Sequence, residues 1–127
     1  MGASAGGIVW CLRTFEEDCG AVRLIVVEGR VSSATAAELA RVLTAQLRDG
    51  LRTLVIDLTG VDYINGAGLR AFETAAASLA GSGGELVVCG LQPPVQVAFD
   101  LAGAIPNLTI APSRDAALQR LRDESGL

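Results

Sequence analysis

The run Thr53-Leu54-Val55-Ile56-Asp57-Leu58 most constrains what this chain can fold into. It is short, almost continuously apolar and flanked by turn-forming residues, the pattern of a strand covered on both faces and therefore central in a sheet. Its neighbours alternate in period. Upstream, 8–15 mixes β-branched and aromatic residues and 21–28 runs apolar, with the polar stretch Glu16-Glu17-Asp18-Cys19-Gly20 between them, which predicts a β-hairpin with its turn there. Gly29 is expected to end the second strand. Ser32 or Ser33 offers a helix N-cap, and Ala37, Leu39, Ala40, Val42, Leu43 and Leu47 recur at helical spacing toward Gly50.

Downstream of the central strand, 59–64 reads as a connection, and Asn65-Gly66-Ala67-Gly68 leads into a second helix over about 67–80. That helix carries Leu69, Phe72, Ala75, Ala76 and Leu79 and stops at Gly81-Ser82-Gly83-Gly84. Glu85 to Cys89 reads as a strand, Pro93-Pro94 opens a helix to about Leu101, and Leu108-Thr109-Ile110 is a short strand. A last helix follows Pro112, with Ser113 as N-cap and Asp115 near the positive helix end. The order β-β-α-β-α-β-α-β-α joins successive strands by helical crossovers, so the sheet should be mostly parallel under a helical layer. No internal repeat, low-complexity tract or linker interrupts it.

With 127 residues, half of them apolar and 19% charged, the chain can bury one core without staples. The domain is expected over 8–121, with 1–7 and 122–127 as flexible ends. All ten basic residues are arginine, the net charge is -4, and no basic block could neutralise a run of phosphates, so neither nucleic acid nor an anionic membrane is an expected partner. The absence of histidine removes the commonest general base and metal ligand. Cys11, Cys19 and Cys89 lack metal-binding spacing and read as reduced thiols, with Cys89 buried in the run Leu86-Val87-Val88-Cys89. No apolar run is long enough to span a bilayer, 1–7 lacks the features of an export signal, and Gly6 breaks a myristoylation pattern. A cytoplasmic protein without cofactor or metal is expected.

The stretch Val55-Ile56-Asp57-Leu58-Thr59-Gly60-Val61-Asp62-Tyr63-Ile64-Asn65-Gly66-Ala67-Gly68-Leu69 resembles the signature of STAS domains, the family of bacterial anti-sigma factor antagonists and sulfate-transporter tails. That signature is an apolar strand, Asp, Leu-Ser/Thr-Gly-Val, an aromatic, an aliphatic, and Asp-Ser-Ser/Thr/Ala-Gly-Leu. Gly29 to Leu39 is similar to the family's Gly-x-Leu-Asp segment, and Gly83 to Gly103 to its second half. The resemblance implies an α/β STAS fold: a mixed, mostly parallel sheet of about five strands after an N-terminal hairpin, with about four helices packed mainly on one face. It implies partner switching rather than catalysis. The unphosphorylated antagonist binds an anti-sigma factor serine kinase and frees a sigma factor, and phosphorylation of a serine at the start of the second helix breaks the complex.

Aligned on Gly68 and Leu69, the motif's Asp falls on Asn65, its phosphoacceptor serine on Gly66 and the next small residue on Ala67. Gly66 can carry no phosphate, so the resemblance implies a partner-binding surface of Ser32, Ser33, Asn65, Gly66, Ala67, Gly68 and Leu69 that is not switched at that site. The related alternatives are a STAS subunit of a lipid ABC transporter and a stressosome-like scaffold component; a homodimer is compatible with each.

Other readings of the residues are weaker. Gly66-Ala67-Gly68-Leu69-Arg70-Ala71 spells G-x-G-x-x-A, a dinucleotide fingerprint. Two features oppose it: 59–65 separates the glycines from the strand ending at Leu58, and no ribose-binding acid closes the next strand, which ends Val88-Cys89-Gly90. Asp57 and Asp62 lack a base or ligand set and read as a strand-end residue and a turn residue, while Thr59 reads as a local hydrogen-bonding group. The 81–84 glycines lack the Lys-Ser/Thr of a phosphate loop. Arg70 and Glu73 read as exposed.

Overall fold

The computed structural model describes residues 13–19, 22–48 and 53–124. The expected flexible segment 1–7, Cys11 and the last residues 125–127 lie outside them. Five strands and four helices follow in the expected order. β1 (Arg13–Cys19) pairs antiparallel with β2 (Val22–Val31), and β2, β3 (Thr53–Ile64), β4 (Glu85–Cys89) and β5 (Leu108–Ala111) are parallel in the spatial order β1-β2-β3-β4-β5.

Three strand boundaries differ from expectation. Glu16, Glu17 and Asp18 lie within β1, paired with Ile25, Leu24 and Arg23, rather than in a turn. β1 is an edge strand, where Glu16 and Glu17 reach solvent and charge costs little. Gly29 does not end β2; it takes φ 123°, the register with β3 shifts on either side of it, and the strand continues to Val31. The stretch 59–64 continues β3, paired with β2 as far as Val31↔Ile64, so Asp62 is an exposed strand residue and not a turn residue.

The two faces of the sheet are covered unequally. Leu54, Ile56 and Leu58 of β3, with Ile25 and Val27 of β2 and Leu86 and Val88 of β4, face a large core shared with α1 (Ala36–Arg48), α2 (Gly66–Gly81) and α3 (Pro93–Ala102). The alternate residues Leu24, Val55, Val87 and Cys89 face Ala117 and Leu121 of α4 (Arg114–Glu124) in a smaller cluster. Period-two alternation explains the division, since successive side chains of a strand point to opposite faces. Phe72 of α2 and Phe99 of α3 meet with ring centroids 5.9 Å apart, joining these helices over the larger core. α4 runs as far as Glu124, into the stretch expected to be a tail.

Helix starts reflect local chemistry. Ser113 Oγ accepts from the Ala116 amide at 3.1 Å, capping α4 as expected, and Asp115 sits in its first turn. α1 is not capped by Ser32 or Ser33. Thr35 immediately precedes it, and that hydroxyl is turned backward: Thr35 Oγ1 donates to the Arg30 carbonyl at 2.6 Å and accepts from the Ser32 amide at 2.9 Å. Thr35 therefore secures the end of β2 to the turn before α1.

Candidate functional site

The parallel strands β2 and β3 end together. Val31 pairs with Ile64, and the Asn65 amide donates to the Val31 carbonyl at 3.0 Å, so the β2–α1 turn and the β3–α2 junction emerge side by side. Asn65 has extended backbone and caps α2, its Oδ1 accepting from the Gly68 amide at 3.2 Å. The other end of the same amide reaches across: Asn65 Nδ2 donates to Ser33 Oγ at 2.9 Å. One side chain thus orders both segments expected to bind a partner.

The two glycines of the junction do different work. A Cβ on Gly68 would run into Val31 Cγ1 and lie 2.8 Å from Ile64 Cγ1, so only glycine lets the first turn of α2 press against the strand ends. Gly66 is exposed, and a Cβ there would meet nothing within 4 Å. The surface at 66 therefore has room for a serine and lacks its hydroxyl. Ala67 and Leu69 are half-buried, and Leu69 packs against the main core. Of the expected binding residues, Ser33 and Gly66 are exposed, Ser32, Asn65, Ala67 and Leu69 are half-buried, and Gly68 is buried.

Neighbouring residues not singled out in the sequence complete the surface. Arg30 and Tyr63 are paired in register at the ends of β2 and β3, and the guanidinium lies 4.6 Å from the ring centroid of the exposed tyrosine. Their signal was hidden because 59–64 reads as a connection, whereas a strand there aligns position 63 with position 30. An open groove of about 430 Å³ runs on between α1 and α2, with Ala36, Ala37, Ala40, Ala67, Arg70 and Ala71 among its lining. Arg70 and Glu73 are exposed, as expected.

The dinucleotide reading fares differently on its two grounds. The separation of the glycines from their strand does not hold, because β3 runs to Ile64 and only Asn65 intervenes before α2. The second ground holds, since β4 ends at Cys89 with no acid. In addition, the space freed by Gly68 is filled by Val31 and Ile64, leaving no approach for a pyrophosphate at that residue.

On the other face, a charged cluster surrounds Asp57, which is 5% exposed. Its Oδ1 accepts from the Thr59 amide at 2.9 Å and from Thr59 Oγ1 at 2.6 Å, the local bonding expected of Thr59. Its Oδ2 accepts from Arg114 Nη2 at 2.9 Å and Nε at 3.1 Å. Burial opposes ionisation of Asp57, but the hydrogen bonds from Thr59 and the adjacent guanidinium outweigh it and hold the carboxyl below the ordinary carboxylate range. Cys89 is buried as expected, and burial with the nearby Asp57 charge pushes its thiol up to about 11, which leaves it protonated and unreactive. Arg114 was not singled out in the sequence. A buried strand aspartate needs a cation, but nothing in the local spacing indicates which arginine supplies it. Among the described residues, no group of three or more His, Cys, Asp or Glu could hold a metal ion.

Strand pairing, helix placement and the capped junction together define the class of protein. The STAS domain model matches residues 16–117, and the chain belongs to that family. Anti-sigma factor antagonists are among the proteins it is similar to. BtrV of Bordetella bronchiseptica, a candidate anti-sigma factor antagonist, is 42% identical over 91 residues, covering 72% of this chain and 78% of that protein. The anti-sigma-B factor antagonist of Staphylococcus aureus is 29% identical over 79 residues, covering 62% of this chain and 73% of that one. The crystal structure of an anti-sigma factor antagonist from Mycobacterium paratuberculosis superposes with a TM-score of 0.80 at 28% identity, covering 88% of this chain and 95% of that one. These relationships support a regulatory role for the domain. No helix among the described residues is long and apolar enough to cross a membrane.

Proposed function

We propose that this protein is an anti-sigma factor antagonist that binds an anti-sigma factor kinase through Ser32, Ser33 and the segment Asn65 to Leu69, freeing a sigma factor, and that residue 66 does not switch the contact. The observation that carries this reading is the Asn65 side chain, which bonds the α2 amide of Gly68 and the Ser33 hydroxyl together beside an open, hydroxyl-free position 66. A surface ordered in this way keeps its shape when a partner docks, so little ordering entropy is lost on binding. The exposed Tyr63 and Arg30 at its border are residue types that concentrate binding energy in interfaces.

The test uses the purified protein as bait in lysate of its source organism, with bound proteins identified by mass spectrometry. Recovery of an ATP-binding anti-sigma factor supports the reading. Recovery of a transporter ATPase, or only of other STAS proteins, overturns it in favour of a transport or scaffold role.

A further inference from the structure

We propose that Ser33 is the phosphorylated hydroxyl of this surface. The inference rests on the reading that an anti-sigma factor kinase engages the surface, and it names how that contact is regulated. Residue 66 offers no acceptor, so the question is which hydroxyl around the two segments could be presented to a kinase. Thr35 is 1% exposed and its hydroxyl is tied to the Arg30 carbonyl. Ser32 is half-buried, with its Oγ 3.5 Å from Thr35 Oγ1. Thr59 donates its proton to Asp57 at 2.6 Å. Tyr63 is exposed, but it is a phenol, and the kinase of this reading acts on serine.

Ser33 differs from all of these. It is exposed, it lies in the turn between β2 and α1, and its Oγ accepts from Asn65 Nδ2 at 2.9 Å. Accepting that bond does not use the serine's own proton. A turn can also be drawn into a kinase cleft without breaking a ladder or a helix. In the reaction, Ser33 Oγ attacks the γ-phosphorus of ATP; the new O–P bond forms as the bond to ADP breaks, and the serine proton passes to a base of the kinase. The product places about -1.5 to -2 charges beside Asn65, at the positive end of α2, where Asn65 Nδ2, which already donates to Ser33 Oγ, can donate to a phosphate oxygen. The surface that was neutral at this point becomes strongly anionic, which a partner fitted to the unmodified form no longer matches.

Trypsin separates the two segments, because cleavage after Arg30, Arg41, Arg52 and Arg70 releases Ser33 on peptide 31–41 and Asn65 on peptide 53–70. The purified protein is incubated with the captured anti-sigma factor kinase and ATP, and the phosphate is located by peptide fragmentation. The expected result is one phosphoryl group on 31–41, placed by the fragment masses at Ser33 rather than at Ser32 or Thr35, and lost in Ser33→Ala. Protein phosphorylated at Ser33 should be captured at least about tenfold more weakly. Phosphate on 53–70 or elsewhere, or none, with the kinase captured, overturns the Ser33 assignment and leaves the antagonist reading standing. Failure to capture any anti-sigma factor overturns both.

Discussion

Asn65 and Asp57 lie on the same strand–helix segment and illustrate opposite uses of a polar side chain. Asp57 is within β3, faces α4, and has both carboxylate oxygens engaged by Thr59 and Arg114. Asn65 follows the strand on the helical side, is half-buried, and links two segments that are open to solvent. A buried charge with all its partners holds elements together and has nothing left to offer another molecule. A half-buried amide that orders exposed loops leaves those loops able to meet a partner. The comparison assigns structure to the Asp57 face and contact to the Asn65 face, although the aspartate is the more strongly polar residue.

The largest expected effect breaks the Asn65 side by forcing its packing apart. Gly68→Val drives a branched side chain into Val31 and Ile64, both buried. The loss should be about 3 kcal/mol, as for overpacking in a rigid core, and denaturant titration would read it as a lower midpoint. A midpoint unchanged from the parent would show that α2 does not depend on this close approach. Next comes the other side of the comparison. Asp57→Asn removes the anion facing Arg114; because Arg114 is itself 42% exposed, the loss should be about 2 kcal/mol rather than that of a fully buried pair.

The pH dependence of Asp57→Asn sharpens this point. The folded carboxyl titrates below its unfolded value of about 3.9, so its contribution is complete above that pH and is lost as pH falls through the lower folded value. The parent and Asp57→Asn should therefore differ most near neutrality and converge in acid. Melting curves measured from neutral pH down to strong acid would show it, and a constant difference across the range would remove the ionised carboxylate from the explanation. Partner capture by Asp57→Asn should be unchanged wherever the variant is folded.

Much of this arrangement is legible in the residues, and the parts that are not have physical causes. Leu54 to Leu58 is surrounded by protein on both faces, and apolar runs of that kind announce themselves. The extension from Thr59 to Ile64 is not legible in the same way. Pairing with β4 stops at Asp57↔Cys89, so the extension is bonded to β2 alone, and Thr59, Gly60, Asp62 and Tyr63 face solvent with the composition of a loop. The acidic residues of β1 mislead for the same reason, since the edge of a sheet tolerates charge. At the site, the spacing of Asn65, Gly66 and Gly68 suffices to place a capped helix, whereas the bond from Asn65 to Ser33 depends on two parallel strands ending in register. The pairing of Asp57 with Arg114 is more distant still, because it joins β3 to a helix that begins after the last strand.

The smallest effects bear on the site most directly. Asn65→Ala deletes the cap and the bridge to Ser33 together, and loss of a cap of this type costs about 1 kcal/mol. Gly66→Ala should differ from it in sign. The added methyl meets nothing within 4 Å, the residue lies at the start of α2 without a left-handed backbone, and replacing glycine there reduces the freedom of the unfolded chain, so stability should rise by about 0.5 kcal/mol. If the surface binds a partner as an ordered whole, Asn65→Ala should weaken capture well beyond its effect on melting, because the two segments lose their common tether. Gly66→Ala should stabilise the fold while adding a group in the middle of the contact, and its capture reports whether the partner sits directly over residue 66. Titration of both variants against the captured anti-sigma factor, beside their melting curves, separates the tether from the contact. Equal capture by parent and Asn65→Ala would make Asn65 a cap and nothing more, which would reduce it to the structural role that Asp57 already fills on the opposite face.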